Sequence, residues 1–169
     1  MVSSRLAYEP LSADHAAALF GPLSDARVWH HIGPPDSTSV EQLAAEFARR
    51  AAGPSEPSTE RWVNYAVRVI ESNVYCGRVE ATVHGTWAEI AYLFGPAFWG
   101  HGFASEAVGW LRAELRRQLG VTELWAAVRP DNERSLRLLR RMGFVERMPA
   151  SVERTLSSAD DGDLLLCLA

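Results

Sequence analysis

Lysine is absent from this chain of 169 residues, whose 17 basic residues are all arginine. The absence excludes enzymes that form a Schiff base on lysine and enzymes that use lysine as the general base. It also excludes NTPases of the usual phosphate-loop type, because the motif Gly-x-x-x-x-Gly-Lys-Ser/Thr requires lysine. GC-rich codon usage is an alternative reason for the bias, since three Ile and three Asn stand beside 24 Ala. In either case, any permanent positive charge in a binding site must come from arginine.

Cysteine and long apolar segments are also scarce. Cys76 and Cys167 fit neither a metal cluster nor a disulfide framework, so we expect two buried, reduced thiols and no metal. The first residues lack the apolar core of a signal peptide, and no apolar run is long enough to span a bilayer. The net charge of −4 does not attract polyanions. We therefore expect a cytoplasmic protein with neither a nucleic acid nor a membrane as its partner.

The remaining composition is that of a folded domain, with 47% apolar and 22% charged residues. A chain of this length buries about two thirds of its surface on folding, which is enough for one self-sufficient domain over residues 1–169. Apolar residues recur at helical spacing over 12–20, 23–33, 39–47, 104–119 and 132–142. Alternation or a continuous apolar run predicts strands over 65–70, 74–83, 87–94, 123–128 and 163–168. These elements predict an α/β fold with a mixed sheet, in which residues 65–94 form an antiparallel meander.

Gly100 and Gly102 stand between the strand that ends at residue 94 and the helix that begins near residue 104. Unpaired backbone N–H groups and the positive end of the helix dipole make such a turn suited to an anionic phosphate. Glycine allows a close approach because it has no side chain between the amide and the ligand. A tight structural turn is the alternative. The dinucleotide motif G-x-G-x-x-G fits poorly, since Ser105 occupies its third glycine position, so a different phosphate ligand is indicated.

Several motifs in and around this turn resemble those of one known family. The segment Trp99-Gly-His-Gly-Phe-Ala-Ser-Glu-Ala107 resembles the pyrophosphate loop of the GCN5-related N-acetyltransferases, in the form found in their RimJ/RimL-like branch. Ala88-Glu-Ile-Ala-Tyr-Leu93 resembles the family's fourth strand, and residues 129–144 resemble its helix with the pattern N-x-x-S…G-F. Leu23-Ser-Asp25 matches the opening of the branch. The resemblance therefore covers nearly the whole chain.

The resemblance implies a single-domain fold with a mixed, mostly antiparallel sheet flanked by helices. It implies an enzyme that moves an acetyl group from acetyl-CoA directly to a primary amine in a ternary complex. A protein N-terminus and a small metabolite or antibiotic are both open as acceptors, and a homodimer is compatible with the family. The residues implied in binding acetyl-CoA are Leu93, Phe94, Trp99, Gly100, His101, Gly102, Phe103, Ala104, Ser105, Asn132, Arg137 and Arg141.

Glu89, Tyr92 and Ser135 are implied in the chemistry. Glu89 is the candidate general base, and a backbone N–H near Tyr92 is the candidate donor to the acetyl carbonyl. A bulge in that strand, a feature of the family, would free such donors. Ser135 is the candidate hydrogen-bond donor to the CoA thiolate, because Leu138 and Leu139 stand where many members of the family carry a tyrosine.

Each of these assignments has a structural alternative. Glu89 can face solvent or pair with an arginine, Asn132 can simply cap its helix, and Ser135 can be without a role. Arg137 and Arg141, one helical turn apart, are candidates for the adenosine 3′-phosphate, but such arginines usually form a solvated face. His101 stands where the branch usually carries Lys or Arg, and we expect it to contribute little to binding.

The acceptor site is implied at Trp29, His30 and His31 and in the stretch 148–161. Trp29 is also a candidate core residue. Adjacent histidines on a helix diverge, so His30 and His31 do not predict a metal site. Asp160, Asp161 and Asp163 can attract a cationic amine or can belong to an ordinary polar loop. A non-catalytic CoA-binding sensor on the same fold is the alternative function, and a dinucleotide oxidoreductase is a more distant one.

Overall fold

The computed structural model describes residues 5–35, 37–148, 156 and 158–169. One seven-stranded sheet has the strand order β1-β2-β3-β4-β5-β7-β6. The strands are β1 (Leu6–Pro10), β2 (Arg61–Val69), β3 (Val74–His84), β4 (Trp87–Phe94), β5 (Glu123–Val128), β6 (Val145–Glu146) and β7 (Leu164–Leu168). Each neighbouring pair is antiparallel except β4 and β5, which are parallel. The predicted mixed, mostly antiparallel sheet is confirmed.

Five α-helices lie among the described residues: α1 (Ala16–Ser24), α2 (Ala26–Trp29), α3 (Val40–Ala52), α4 (Phe103–Leu119) and α5 (Glu133–Arg141). The helix predicted over 23–33 is wrong in its limits, because Asp25 divides that segment. Asp25 has an extended backbone and its carboxylate accepts the N–H of Arg27, so it ends α1 and caps the short α2. No helix within the described ranges is both long and apolar enough to cross a membrane.

The sequence patterns missed two short strands. β1 pairs with β2 from Leu6 opposite Val69 to Pro10 opposite Tyr65, and it is too short for its period to stand out. β6 has two residues and pairs only with β7. Pairing with β3 also extends β2 four residues before its predicted start, to Arg61. The other strands begin and end within one residue of their predicted limits.

Side chains alternate across β4 and so contribute to both faces of the sheet. Ile90 and Phe94 belong to a core cluster that contains the apolar faces of α4 and α5. Leu93 belongs to a second cluster, which contains the apolar faces of α1 and α3. Trp87 belongs to a third, smaller cluster with Trp125, Leu156 and Cys167. Cys76 and Cys167 are both buried and form no disulfide with each other, as predicted.

The parallel pairing of β4 with β5 is short. It joins only residues Trp87 to Glu89 with Glu123 to Trp125. Beyond these residues the two strands separate, while β4 stays paired with β3 without a register shift as far as Phe94. The bulge expected in β4 is therefore not found in its pairing with β3. The edge of β4 is opened on its other side, by its divergence from β5.

Candidate active site

A cavity of about 470 Å³ occupies the gap where β4 and β5 separate. Its walls include residues 90–94 of β4 and residues 126–128 of β5. Tyr92 and Ser135 line it from the face of the sheet covered by α4 and α5, whereas Val28 and Ser158 line it from the opposite face. The cavity is thus lined by side chains from both faces of the sheet.

The glycine turn forms one end of this cavity. Gly100 and Gly102 have φ angles of 80° and 79°, a left-handed conformation that favours glycine. The first helical bond of α4 runs from the N–H of Glu106 to the carbonyl of Gly102, so the preceding N–H groups have no partner within the helix. The predicted ligand residues that line the cavity are Leu93, Phe94, Trp99, Gly100, Gly102, Phe103, Ala104, Ser105, Asn132 and Arg141. This end can hold an anionic phosphate.

Arg5, at the start of β1, holds the glycine turn from outside and was missed in the sequence. Its backbone N–H and its side chain both bond to the carboxylate of Glu106, at 3.0 Å and 2.7 Å. A second guanidinium nitrogen donates to the carbonyl of His101 at 2.9 Å. The His101 ring packs against Phe103 and is exposed, and His101 is not among the described residues that line the cavity. The turn is therefore braced by a distant arginine.

Tyr92 and Ser135, from β4 and α5, meet at the cavity. The phenol oxygen lies 2.7 Å from the hydroxyl oxygen of Ser135. Burial raises the pKa of Tyr92 to about 12, against the opposing effects of the Ser135 hydrogen bond and the Arg134 charge. The phenol is therefore neutral at physiological pH. Asn132 caps α5, because its side-chain oxygen accepts the N–H of Ser135 at 3.2 Å.

Glu89 lies on the opposite face of β4 from Tyr92, three residues away along the strand. It is only 4% exposed, and its carboxylate accepts the backbone N–H of Ser158 at 2.8 Å and also the Ser158 hydroxyl. Among the described residues that line the cavity, Ser158 is present and Glu89 is not. The predicted base thus does not itself line the cavity, but it contacts Ser158, which does. Solvent exposure, one of the alternatives from the sequence, is therefore wrong for Glu89.

The arginines are arranged differently from their prediction. Arg137 forms an exposed ion pair with Glu133 at 2.7 Å, and it is not among the described residues that line the cavity. Arg134 does line the cavity, and its guanidinium carbon lies 3.3 Å from the centre of the Trp99 ring. Sequence spacing could not reveal Arg134, because its partner Trp99 is distant in the chain. Arg134 and Arg141 are therefore the arginines of α5 that face the cavity.

The predicted acceptor residues are only partly at the cavity. His31 lines it, with a nitrogen 3.3 Å from a carboxylate oxygen of Asp131. His30 and His31 follow the end of α2 and their rings touch edge to face, so the expectation that they diverge was wrong. Trp29 packs against the core and its indole N–H donates to the Leu23 carbonyl, as its alternative role predicts.

The loop before β7 contributes further residues to the wall of the cavity. Asp160 and Asp163 line the cavity, together with Ser158. Of the predicted stretch 148–161, residues 149–155 and 157 lie outside the described part of the chain. Within the described ranges, no group of three or more His, Cys, Asp or Glu side chains could hold a metal ion.

Comparison with known proteins places this geometry in one family. The family model for the Acetyltransferase (GNAT) domain matches residues 5–145. The Bacillus subtilis (strain 168) protein named Uncharacterized N-acetyltransferase YoaA is 30% identical over 146 residues, which cover 84% of this chain and 80% of that protein.

Solved structures share the fold at lower identity. The Salmonella typhimurium acetyl transferase that modifies the N-terminal serine of ribosomal protein L7/L12 has a TM-score of 0.78 at 18% identity, covering 99% of this chain and 96% of that chain. The spermidine N-acetyltransferase from Vibrio cholerae, in complex with CoA and spermine, has a TM-score of 0.72 at 17% identity, with 98% and 95% covered. The domain match and the Bacillus relative show that this chain belongs to the GNAT family of N-acetyltransferases.

Proposed function

We propose that the protein binds acetyl-CoA in the gap between β4 and β5 and transfers the acetyl group directly to a primary amine. The observation that supports this proposal is the cavity itself, which extends from the glycine turn to polar groups on both faces of the sheet. The enzyme then contributes proximity and charge stabilisation, and no covalent acetyl-enzyme is needed. By its turn sequence we assign the protein to the RimJ/RimL-like branch.

The cofactor is expected to enter with its pyrophosphate against the amides of residues 100–105. The side of β4 that faces away from β3 offers backbone groups to the pantetheine arm, because β5 has separated from it. Arg134 and Arg141 supply positive charge near the phosphates. The carbonyl of the acetyl group meets a backbone N–H near Tyr92, which stabilises the negative charge of the tetrahedral intermediate.

The acceptor amine approaches from the face that carries His31 and Ser158. Its pKa is near 10, so a base must remove a proton before the nitrogen lone pair can attack the thioester carbon. Glu89 lies at the last position where β4 pairs with β5 before the strands separate, and we assign it as this base. The nitrogen–carbon bond forms and the carbon–sulfur bond breaks. The departing thiolate accepts a hydrogen bond from Ser135 and takes the second proton of the nitrogen, which gives the amide and the free CoA thiol.

The class of acceptor is open between a protein N-terminus and a small amine. The Salmonella structural neighbour modifies an N-terminal serine and the Vibrio neighbour was solved with spermine, so the fold serves both classes. Asp160 and Asp163 at the cavity favour a cationic acceptor. A protein N-terminus and a polyamine both satisfy that requirement.

The test is release of free CoA thiol from acetyl-CoA with a panel of N-terminal peptides, polyamines and aminoglycosides. Mass spectrometry of the products identifies which amine gains an acetyl group. We expect turnover with at least one class, and a rate at neutral pH that is about 100-fold lower with the Glu89→Gln variant. Ser39→Ala, which removes the hydroxyl that caps α3 away from the cavity, is the matched control.

Two outcomes contradict the proposal. Acetyl-CoA that raises the melting temperature while no amine is acetylated would favour a CoA-binding sensor. Tighter binding of NAD than of CoA would favour a dinucleotide enzyme.

A further inference from the structure

Ser158 separates the buried carboxylate of Glu89 from the cavity. Ser158 belongs to the loop before β7 and lines the cavity wall, whereas Glu89 is 4% exposed. Both the backbone N–H and the hydroxyl of Ser158 donate to the same carboxylate oxygen, Oε1. The loop therefore seats Ser158 directly on the carboxylate.

The surroundings of Glu89 give an acceptor amine little room to reach the carboxylate. Glu89 is in register with Trp125 of β5, at the last paired position before the strands separate. Trp125 is 1% exposed and packs with Trp87 and Leu156. A carboxylate buried behind the cavity wall can accept a proton through a group that touches both it and the cavity. Ser158 is such a group.

We propose that the Ser158 hydroxyl relays the proton of the acceptor amine to Glu89. This inference rests on the proposed function. The ammonium nitrogen donates a hydrogen bond to Oγ of Ser158, whose own proton points to Oε1 of Glu89. As the nitrogen loses its proton to Oγ, the original Oγ proton passes to Oε1. The amine becomes neutral, the carboxylate becomes a carboxylic acid, and Ser158 ends unchanged.

The chemistry of the hydroxyl suits this role, since it donates one hydrogen bond and accepts two. Its donor is directed at the carboxyl group of Glu89, the group that is to receive the proton. The backbone N–H of the same residue also donates to Oε1 and so fixes the loop there. The lone pairs of Oγ take part in neither of these two hydrogen bonds and can accept one from the amine. Proton transfer then requires no rearrangement of the loop.

The experiment compares steady-state kinetics of Ser158→Ala, Ser158→Thr, Glu89→Gln and the double variant Glu89→Gln/Ser158→Ala. We expect Ser158→Ala to lower kcat at neutral pH by about 100-fold, with an unchanged KM for acetyl-CoA. Ser158→Thr keeps the hydroxyl and should recover most of the rate. Because the two residues act in series, the double variant should be no slower than Glu89→Gln alone.

The pH profile separates a relay from a structural contact. The rate of Ser158→Ala should rise toward that of the wild-type enzyme as pH approaches the pKa of the free amine, since the base is then no longer required. Ser158→Gly, which also keeps the backbone N–H, should behave like Ser158→Ala. Melting temperatures of all variants show that they are folded, with Ser39→Ala as the control for loss of a hydroxyl elsewhere.

A Ser158→Ala enzyme with the wild-type rate and pH profile would overturn the relay and leave the proposed function intact. Additive effects in the double variant would also overturn it, because they place the two residues on independent routes. Absence of turnover in the wild-type enzyme with every amine would overturn both proposals.

Discussion

The phenol of Tyr92 and the hydroxyl of Ser135 lie 2.7 Å apart, although the two residues are 43 positions apart in the chain. The helix that carries Ser135 has Leu138 and Leu139 where many members of the family carry a tyrosine, and Ser135 is the candidate donor in its place. The tyrosine reaches the site from strand β4 instead. When the phenol donates to Ser135, the Ser135 proton is free to meet the thiolate, and the two hydrogen bonds strengthen each other.

We predict that Ser135→Ala lowers kcat by about 10- to 100-fold, the loss expected for one hydrogen bond of about 1.5–3 kcal/mol to a charged group. Tyr92→Phe should cost less, because it removes only the support of that hydrogen bond. The double variant should be close to Ser135→Ala, measured as kcat with saturating acetyl-CoA.

The pKa of Tyr92, raised to about 12, adds a condition to this prediction. The wild-type rate should show no break from ionisation of Tyr92 below about pH 11. A break that disappears in Tyr92→Phe would instead assign the phenol a direct proton-transfer step.

The stacking of Arg134 on Trp99 distinguishes it from Arg137. We predict that Arg134→Ala raises the KM for acetyl-CoA about tenfold, equivalent to about 1.4 kcal/mol, because it removes a cation from the cavity wall. Arg137→Ala should change the KM less than twofold, since its exposed ion pair with Glu133 contributes little. Equal effects of the two substitutions would remove the special role of Arg134.

Arg5 contacts the glycine turn although it is distant from the turn in the chain, so we expect its substitution to affect the binding of CoA. Arg5→Ala should weaken CoA binding about tenfold, because the His101 carbonyl and the Glu106 carboxylate lose their common partner. His101→Ala should have a smaller effect. Arg117→Ala, which breaks an exposed pair on the same helix, is the control. Calorimetric titration with CoA measures all three, and a larger loss in His101→Ala than in Arg5→Ala would contradict the assignment.

The ion cluster between α3 and β3 predicts a loss of stability in acid. Burial raises the pKa of Glu46, but the hydrogen bond from Arg50, the charge of Arg78 and the Ser37 hydroxyl together hold it below its usual value. A carboxyl with a lowered pKa in the folded state stabilises the protein above its unfolded pKa, and that stabilisation is lost as the pH falls through the folded pKa. The melting temperature should therefore fall between about pH 5 and about pH 3.

Glu46→Gln should weaken this acid dependence and lower the stability at neutral pH by about 1–3 kcal/mol, since Arg78, 3% exposed, loses one of its two carboxylates. Glu71→Gln, at an exposed turn, is the control. Denaturant unfolding at several pH values measures the difference. An unchanged pH dependence in Glu46→Gln would show that other carboxyls cause the acid loss.

Local sequence patterns were sufficient for much of the fold. β4 and β5 have their predicted limits, and α4 ends at Gly120, whose φ of 68° explains why glycine follows the last helical turn. The glycine turn was also predictable, because a turn and a helix N-terminus are formed by neighbouring residues. The capping role of Asn132, given as its structural alternative, followed from the same local rules.

Side-chain contacts between distant segments were decided only by the tertiary structure. Alternation on β4 places Glu89 and Tyr92 on opposite faces, but it does not say which helix or loop covers each face. Four contacts of the site depend on how separate elements pack. They are those of Ser158 with Glu89, Ser135 with Tyr92, Arg134 with Trp99, and Arg5 with the glycine turn. The sequence by itself determined the glycine turn before α4 and the residue types available for acyl transfer. The packing of α5 and of the loop before β7 against the separated strands decided which of these side chains are in contact. Contact between distant segments depends on the packing of the whole core.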